Sequence, residues 1–402
     1  MSSLKKRIIT ALCIGSIALL IRIIIIQYYP VEALAGGDGA AFWSFAEGII
    51  NGKGFTSTIE PWLADRPPFY PYFLSFIFLV SRKSYADVYY AQSLITAISC
   101  ASFFLAANKL FGYIRGIFAG IICAVLPFFL IFTKQILTEA IYPALLIFLI
   151  CILILYEKNT ICKFILIGLM LGVITLTRRE AVLPAALIIS GFMFILGKIS
   201  FRQKAINFGI AIAIAGITVS PWIIRNWVVF GKPLMSSSAG VNFMVGNNPA
   251  SDGSYAQPPA EWGRQLIGLG ELERDKVAWN LSSSWIKENP ARFFSRIPQK
   301  LKYLWGPTNS LFLDAFDLLL IPFYFFGFFY LFKKHRSWKE LLIIFVPLAV
   351  CVTLIGMVYV GWWRYRESAY VGLILLATFG LPDFLVRWVE KLFPFVKNEQ
   401  LA

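Results

Sequence analysis

Ten long apolar runs constrain this chain most strongly, because each is long enough to cross a lipid bilayer as a helix. They lie near residues 8–29, 86–107, 114–133, 140–156, 161–177, 181–197, 205–224, 315–332, 340–360 and 368–386. Hydrophobic residues make up 58% of the 402 residues and charged residues only 15%, which is more apolar surface than a soluble domain could bury. The sequence therefore predicts an all-α polytopic membrane protein with about ten transmembrane helices.

The run at 67–80 decides the orientation of these helices. It is short and rich in proline and aromatic residues. If it lies on the outer surface as an interfacial helix, the N-terminus and every short basic turn face the cytoplasm, as the positive-inside rule requires. Those turns are "NKLFGYIRG", "YEKNTICK", "GKISFRQK", "KKHRSWK" and "RWVEKLFPFVK". If 67–80 spans the membrane instead, all of these turns face outward and only the N-terminus stays in the cytoplasm. We therefore expect an interfacial 67–80, with Arg82 and Lys83 as exceptions left outside, in a multi-pass protein of the plasma or inner membrane.

The same pattern divides the chain into three parts. Residues 1–225 form an N-terminal transmembrane module with a first outer loop at 31–85, and 8–29 is a retained first helix, too long for a signal-peptide core. Residues 226–314 form a polar extracytoplasmic segment, first a loop and then helices lying against the membrane. Residues 315–402 hold the last transmembrane helices and a cytoplasmic tail.

The residue types available limit the chemistry. The net charge of +15 does not indicate nucleic-acid binding, because the basic residues punctuate apolar runs and do not line one face. The six cysteines are not at metal-ligand spacing, and the single histidine, His335, lies in a basic turn. Any catalysis would therefore depend on carboxylates and arginines.

The predicted topology collects ionisable residues at the outer face. They are Asp38, Lys53, Glu60, Asp65 and Arg66 in the first loop, then Lys134, Glu139, Arg178, Arg179, Glu180, Arg225, Arg364, Arg366 and Glu367. Ionisable groups beside a bilayer are costly, and their convergence indicates a site. Arginines hold phosphate through forked hydrogen bonds, and a carboxylate accepts a proton from an attacking hydroxyl. The set predicts transfer of a group from a lipid phosphate to an acceptor hydroxyl.

Taken singly, each of these residues also has a purely structural interpretation. Asp38 would cap the helix that follows it. Glu139 would pair with Lys134, and Arg178, Arg179 and Glu180 would form a local ion-pair turn. Arg66 would extend its charged group to the membrane interface, and Arg364, beside two tryptophans, would anchor the chain at that interface. Only their convergence favours a functional site.

Six stretches occur in an order that resembles a known family. They are "GGDGAAFWSFAEGIINGKGF", "RPPFYPYFLS", "LTEA", "LTRRE", "SPWIIRNWVVFGKP" and "GVNFMVGNNPASDGSY". The sequence resembles the bacterial GT-C glycosyltransferases of the family 39-like group, relatives of protein O-mannosyltransferases and of the lipid A aminoarabinose transferase. The resemblance covers roughly residues 8–310. Beyond that it extends only to the helix pattern and "WRYRE".

The resemblance implies a GT-C fold with outer juxtamembrane helices in the first loop, and a role in cell-envelope glycosylation. It implies a polyprenyl-phosphate sugar donor, inverting transfer and an extracytoplasmic active site. Asp38 matches the first-loop acid that serves as general base, and Glu139 matches the second outer-turn acid. Arg66 matches a residue that meets the donor phosphate, and Arg178 and Arg225 fall in basic motifs that we assign to the same phosphate. Arg179, Glu180, Arg364 and Arg366 are further substrate-site candidates.

One departure from the family concerns a metal. Many relatives carry an acidic pair at the first-loop site, whereas Asp38 is followed by Gly39. We therefore assign no metal ligand and no cofactor, although Asp38 and Glu139 could share a divalent cation.

Two other classes of function stay open. A lipid or solute transporter, or a flippase, also carries charged residues, but here the charges lie at one face and no pair of broken helices recurs in two halves. A non-catalytic scaffold that kept the fold is the third alternative. Within the enzyme class the acceptor is open among lipid A, another lipid-linked glycan, a wall polymer and protein Ser/Thr, and transfer of a whole glycan to protein is a further alternative.

Overall fold

The computed structural model describes residues 3–29, 37–158, 160–308 and 310–393. Residues 31–36, the start of the predicted first outer loop, lie outside the described residues. The tail residues from 394 onward also lie outside them. Within the described residues the protein is helical and has no β-strand. The first ten α-helices are α1 (Ser3–Tyr28), α2 (Gly37–Ile50), α3 (Phe69–Val80), α4 (Tyr85–Phe111), α5 (Tyr113–Val125), α6 (Pro127–Leu130), α7 (Tyr142–Leu155), α8 (Ile161–Thr177), α9 (Val182–Ser190) and α10 (Phe201–Phe230). The others are α11 (Ala239–Gly246), α12 (Ala260–Arg264), α13 (Glu271–Glu288), α14 (Pro290–Trp305), α15 (Leu311–Phe332), α16 (Trp338–Val358), α17 (Glu367–Phe379) and α18 (Asp383–Leu392).

All ten predicted apolar runs are helical. Six described helices are long and apolar enough to cross a membrane, and two bent pairs raise the number to eight. The remaining two predicted spans are α7, with 14 residues, and α8, with 17. The prediction of an all-helical, multi-pass membrane protein is confirmed.

Two predicted spans differ from the sequence pattern at their ends. The run at 368–386 stops at Phe379, and α18 continues at an angle of 72° to the helix before it. The reason is the "GLPD" turn, since Pro382 cannot continue a helix. The run at 205–224 is longer than predicted, because α10 continues to Phe230 and ends at Gly231, whose φ of 68° favours glycine.

The bundle is organised around α4, which packs against α1, α5 and α7. A second layer pairs α8 with α10, and α17 packs between α15 and α16. Small residues permit the closest of these contacts. At Gly168 of α8, an added Cβ would lie 2.5 Å from the Ala211 carbonyl oxygen of α10. The bundle is therefore closely packed where it carries the turns described next.

Four turns and one helix start meet at the same end of the bundle. They are the start of α2, residues 63–66 of the first loop, the 3₁₀ turn Thr138–Ala140 before α7, the residues Arg178–Ala181 between α8 and α9, and the 3₁₀ turn Trp363–Arg366 before α17. The short helix α3 packs against α2, and α11 packs against α13. This end of the bundle is where the sequence predicted an outer face.

Candidate active site

Asp38 lies in the first turn of α2, where the helix dipole stabilises a negative charge. Both of its carboxylate oxygens have a guanidinium partner. Oδ1 accepts a hydrogen bond from Arg66 Nη2 at 2.7 Å, and Oδ2 accepts one from Arg364 Nη1 at 2.9 Å. Its side chain is 34% exposed, so solvent and substrates can reach it. Asp38 is therefore an accessible carboxylate held between two arginines.

Glu139 lies deeper in the protein. Its side chain is fully buried in the turn before α7. It accepts hydrogen bonds from Arg364 Nε and from the Thr138 hydroxyl, and Arg178 Nη1 lies 3.5 Å from its Oε1. A substrate cannot reach this carboxylate directly, but Arg364 joins it to Asp38.

Arg178 forms a second centre beside the first. It ion-pairs with Glu180 at 2.8 Å and with Glu367, and its guanidinium lies over the Tyr142 ring at 5.5 Å. Arg178 and Glu367 are both buried. The two centres share Glu139, so the four turns form one connected network of charges.

The arginines set the protonation of both acids. Burial raises the pKa of Asp38, but the Arg66 and Arg364 guanidiniums outweigh it and hold the pKa below its ordinary value. Burial also raises the pKa of Glu139, and Arg364 with Arg178 likewise brings it below the ordinary value. Both acids are therefore ionised at neutral pH.

A cavity of about 270 Å³ opens above Asp38. Its polar lining comes from the start of α2, the first loop, the turn before α9, the segment 236–242, α13 and the residues just before α17, and its apolar lining is largely aromatic. The lining residues are Asp38, Phe42, Trp62, Asp65, Arg66, Pro67, Thr138, Thr177, Arg178, Arg179, Glu180, Ser236, Ser238, Val241, Asn242, Val245, Tyr255, Arg274, Trp362, Arg364 and Tyr365.

Six of the nine predicted site residues line this cavity. They are Asp38, Arg66, Arg178, Arg179, Glu180 and Arg364, and Glu139 lies directly behind them. Arg179 donates to the hydroxyl of Ser236, another lining residue. The charged residues predicted to share one face thus converge, as far as the described residues show.

Two predicted arginines lie elsewhere. Arg225 of α10 donates to the carbonyl oxygens of Leu63, at 2.7 Å, and Phe55, at 2.8 Å, so it fixes the first loop. Arg366 donates to the carbonyls of Leu304 and Gly306 and faces a separate cavity of about 390 Å³. Neither arginine lines the cavity above Asp38.

Comparison with known proteins identifies the fold. Residues 65–224 match the family model described as dolichyl-phosphate-mannose-protein mannosyltransferase. No curated protein sequence matches the chain. The structure superimposes on the archaeal oligosaccharyltransferase AglB from Archaeoglobus fulgidus, solved with an inhibitory peptide and a dolichol-phosphate, with a TM-score of 0.59 at 15% identity over 98% of this chain. A second structure of that enzyme, tethered to an acceptor peptide containing the NVT sequon, gives a TM-score of 0.61 at 14% identity, also over 98% of this chain.

The chain has a GT-C fold. The GT-C fold implied by the resemblance in the sequence is thereby confirmed. The chain spans 52% of the length of AglB in both comparisons. ArnT from Cupriavidus metallidurans, bound to undecaprenyl phosphate, also matches over 93% of this chain and 78% of its own, with a TM-score of 0.46 at 12% identity.

Three residues in or beside the GT-C cavity were given no individual role by the sequence. Glu367 and Asp65 stood out only as charged residues, although Glu367 pairs with Arg178 and Asp65 lies 3.1 Å from Arg66. Arg274 of α13 lies over the Trp62 ring at 5.1 Å. The adjacency of Glu367 to "WWRYR" was a usable signal. Arg274 had none, since it lies in an ordinary polar helix.

The acids of this GT-C site do not fit a metal ion. AglB has been solved in complex with Zn and sulfate. In the described part of this chain, no three His, Cys, Asp or Glu side chains converge closely enough to hold a metal. The oxygens of Asp38 and the inward oxygen of Glu139 accept from guanidinium groups instead.

Proposed function

We propose that the protein is an integral-membrane glycosyltransferase that transfers a sugar from a polyprenyl-phosphate donor to an acceptor hydroxyl, with inversion, at the extracytoplasmic face. The observation that carries this proposal is a carboxylate, Asp38, held by Arg66 and Arg364 in an open cavity at one end of a GT-C bundle. The donor class is supported by the family model, which is named for a lipid-phosphate sugar, and by AglB, solved with a dolichol-phosphate. The side of the membrane is supported by the basic turns, which the positive-inside rule assigns to the cytoplasm.

The donor phosphate binds where guanidinium groups are accessible. Arg66 and Arg364 both line the cavity, and both present donors toward the Asp38 carboxylate. A phosphate offers the same forked acceptors as a carboxylate and carries a larger charge, so it competes with Asp38 for these arginines. The binding of donor therefore releases Asp38 from at least one guanidinium.

This release prepares the base. In the absence of donor, the two arginines hold the pKa of Asp38 below its ordinary value, which makes the carboxylate a weak proton acceptor. When phosphate takes over an arginine, the pKa of Asp38 rises and its oxygen becomes free to accept a proton. The carboxylate thus becomes a competent base only when the donor is bound.

The proposed transfer forms one bond and breaks one bond. The acceptor oxygen attacks the anomeric carbon and forms the new glycosidic bond, while the bond from that carbon to the phosphate oxygen breaks on the opposite face. The hydroxyl proton goes to Asp38, and polyprenyl phosphate leaves with the bonding electrons, stabilised by Arg66 and Arg364. Positioning and electrostatic stabilisation supply most of the acceleration.

The remaining residues position these groups. Glu139 orients Arg364 from beneath, and Glu180 with Glu367 holds Arg178 at the cavity wall. Arg225 fixes the loop that carries Arg66. The aromatic wall of Trp62, Trp362 and Tyr365 suits stacking against a sugar ring.

The test is the replacement of Asp38 by Asn in a strain that lacks the chromosomal copy. Mass spectrometry of the surface glycoconjugates of the deletion strain should show that one sugar is missing. Expression of the wild-type protein should restore this sugar, and so should Glu60→Gln, which alters an exposed acid of the same loop. Asp38→Asn at equal protein levels should reduce that restoration about 100- to 10,000-fold. Full restoration by Asp38→Asn would remove Asp38 from the base role. Movement of a labelled lipid across vesicles with no new glycosidic bond would instead support a flippase.

A further inference from the structure

We propose that the Arg364 guanidinium occupies the place between Asp38 and Glu139 that a divalent cation would need, so that the cation of this site is built into the chain. The proposal rests on the function proposed above and specifies how its leaving group is stabilised. It predicts sugar transfer without a divalent metal.

The geometry places one guanidinium between two acids from different parts of the chain. Nη1 of Arg364 lies 2.9 Å from Asp38 Oδ2, and its Nε donates to Glu139 Oε1. Asp38 lies in the first turn of α2 and Glu139 precedes α7, so the packing of the bundle brings both carboxylates to a group from a third element. Two carboxylates from different elements therefore share one fixed positive charge, each through a different guanidinium nitrogen.

Arg364 is fixed in this position. Its side chain is only 16% exposed, and its guanidinium lies over the Trp362 ring at 5.2 Å. Two acids and one aromatic face therefore determine its orientation. A guanidinium stays protonated at any physiological pH, so the charge it supplies is permanent.

The other carboxylate oxygens of Asp38 and Glu139 also have partners, so few are free to bind a metal. Asp38 Oδ1 accepts from Arg66 at 2.7 Å, and Arg178 lies 3.5 Å from Glu139. A hard divalent cation needs about six oxygen ligands, and here the two carboxylates are already in contact with three arginines, Arg66, Arg178 and Arg364. A metal entering this position would have to expel Arg364 against the charge of Arg66 and Arg178.

Removal of Arg364 should therefore create a metal site. In Arg364→Gln the two carboxylates lose their shared cation, and water can supply the further oxygen ligands that a metal needs. We expect the purified variant to bind one equivalent of Mn²⁺, seen as a loss of the free-Mn²⁺ signal in electron paramagnetic resonance. Wild type should bind none at this site, and Arg364→Gln with Asp38→Asn should lose the new binding. Arg366→Gln is the matched control, because that arginine lies two residues away and donates to backbone carbonyls.

This titration measures binding and does not depend on transfer. The proposal would be overturned if the wild-type protein bound one Mn²⁺ and Asp38→Asn abolished that binding. It would also be overturned if Arg364→Gln kept the wild-type melting temperature and bound no Mn²⁺. If that variant does not fold, the wild-type titration decides alone. Transfer by wild type should also be unchanged in EDTA. If no transfer occurs under any condition, the proposed function fails while the Mn²⁺ result stands separately.

Discussion

Arg178 and Glu367 form a buried ion pair that joins the turn before α9 to the first residue of α17. The same guanidinium also pairs with Glu180 and lies close to Glu139. One arginine thus serves three acids from three turns, and the loss of its charge should cost more than the loss of any one acid.

Arg178→Met should therefore destabilise the protein strongly. The substitution leaves Glu367 and Glu180 without their guanidinium, which costs about 3–5 kcal/mol when one partner of a buried pair is removed. Glu367→Gln should cost less, because Arg178 keeps its other partners. Thermal denaturation in detergent would rank the two variants, and a lower melting temperature for Glu367→Gln than for Arg178→Met would contradict this account.

Arg66→Ala should impair use of the donor. The variant loses a charged hydrogen-bond donor to the phosphate, which corresponds to about a 10- to 100-fold loss in kcat/KM for the donor. The KM of the acceptor should change little. Arg82→Ala, which alters an exposed arginine close to the same loop, provides the control. A larger effect on the acceptor than on the donor would place Arg66 elsewhere in the reaction.

Arg225→Ala should loosen the first loop without removing a phosphate ligand. It deletes hydrogen bonds to the carbonyls of Leu63 and Phe55 and the contact of the guanidinium with Trp222 at 5.1 Å. Limited proteolysis within residues 51–66 should become faster than in wild type. A raised KM for the donor with unchanged proteolysis would instead restore Arg225 to the phosphate-binding role predicted from its sequence motif.

Lys300 should make stability depend on pH. This lysine of α14 is fully buried and donates to Asn247 Oδ1 at 2.8 Å and to the Tyr359 carbonyl at 2.9 Å. Burial, with Arg296 nearby, lowers the pKa of Lys300 from 10.5 to about 7. Between these two values the unfolded chain binds a proton that the folded protein does not, so stability rises with pH, by at most about 1.4 kcal/mol per unit.

The measurement compares melting temperatures of wild type and Lys300→Met from about pH 7 to about pH 10. Because other groups titrate equally in both proteins, the difference between them isolates Lys300. As the pH rises, the melting temperature of the wild-type protein should increase relative to that of Lys300→Met. A difference independent of pH would show that Lys300 keeps its ordinary pKa.

The sequence predicted the helices and the gathering of charges for physical reasons. Apolar length identifies a helix that crosses lipid, and the asymmetry of Lys and Arg groups the intervening turns by side, so Asp38, Glu139 and Arg364 could be expected near one another. The bend before α18 was missed because the apolar pattern continues through Pro382, although the backbone does not.

The roles of individual arginines could not be predicted in the same way. Arg225 and Arg366 have the same charge as Arg66, but they donate mainly to backbone carbonyls, which exist at every residue and leave no trace in the sequence. The full burial of Glu139 likewise depends on how three turns pack. Sequence patterns identify which groups are present near the membrane, whereas tertiary packing determines which of them face the cavity.

Contacts from α10 and α13 help to hold the first loop. Arg225 binds it from α10, and the Glu271 carboxylate of α13 accepts hydrogen bonds from the amides of Leu63, at 2.7 Å, and Ala64, at 2.9 Å. This side of the cavity is consequently a fixed wall. Access to the cavity should therefore depend on the rest of its lining, which includes the half-exposed Tyr255 and Trp362, with 5.7 Å between their ring centroids.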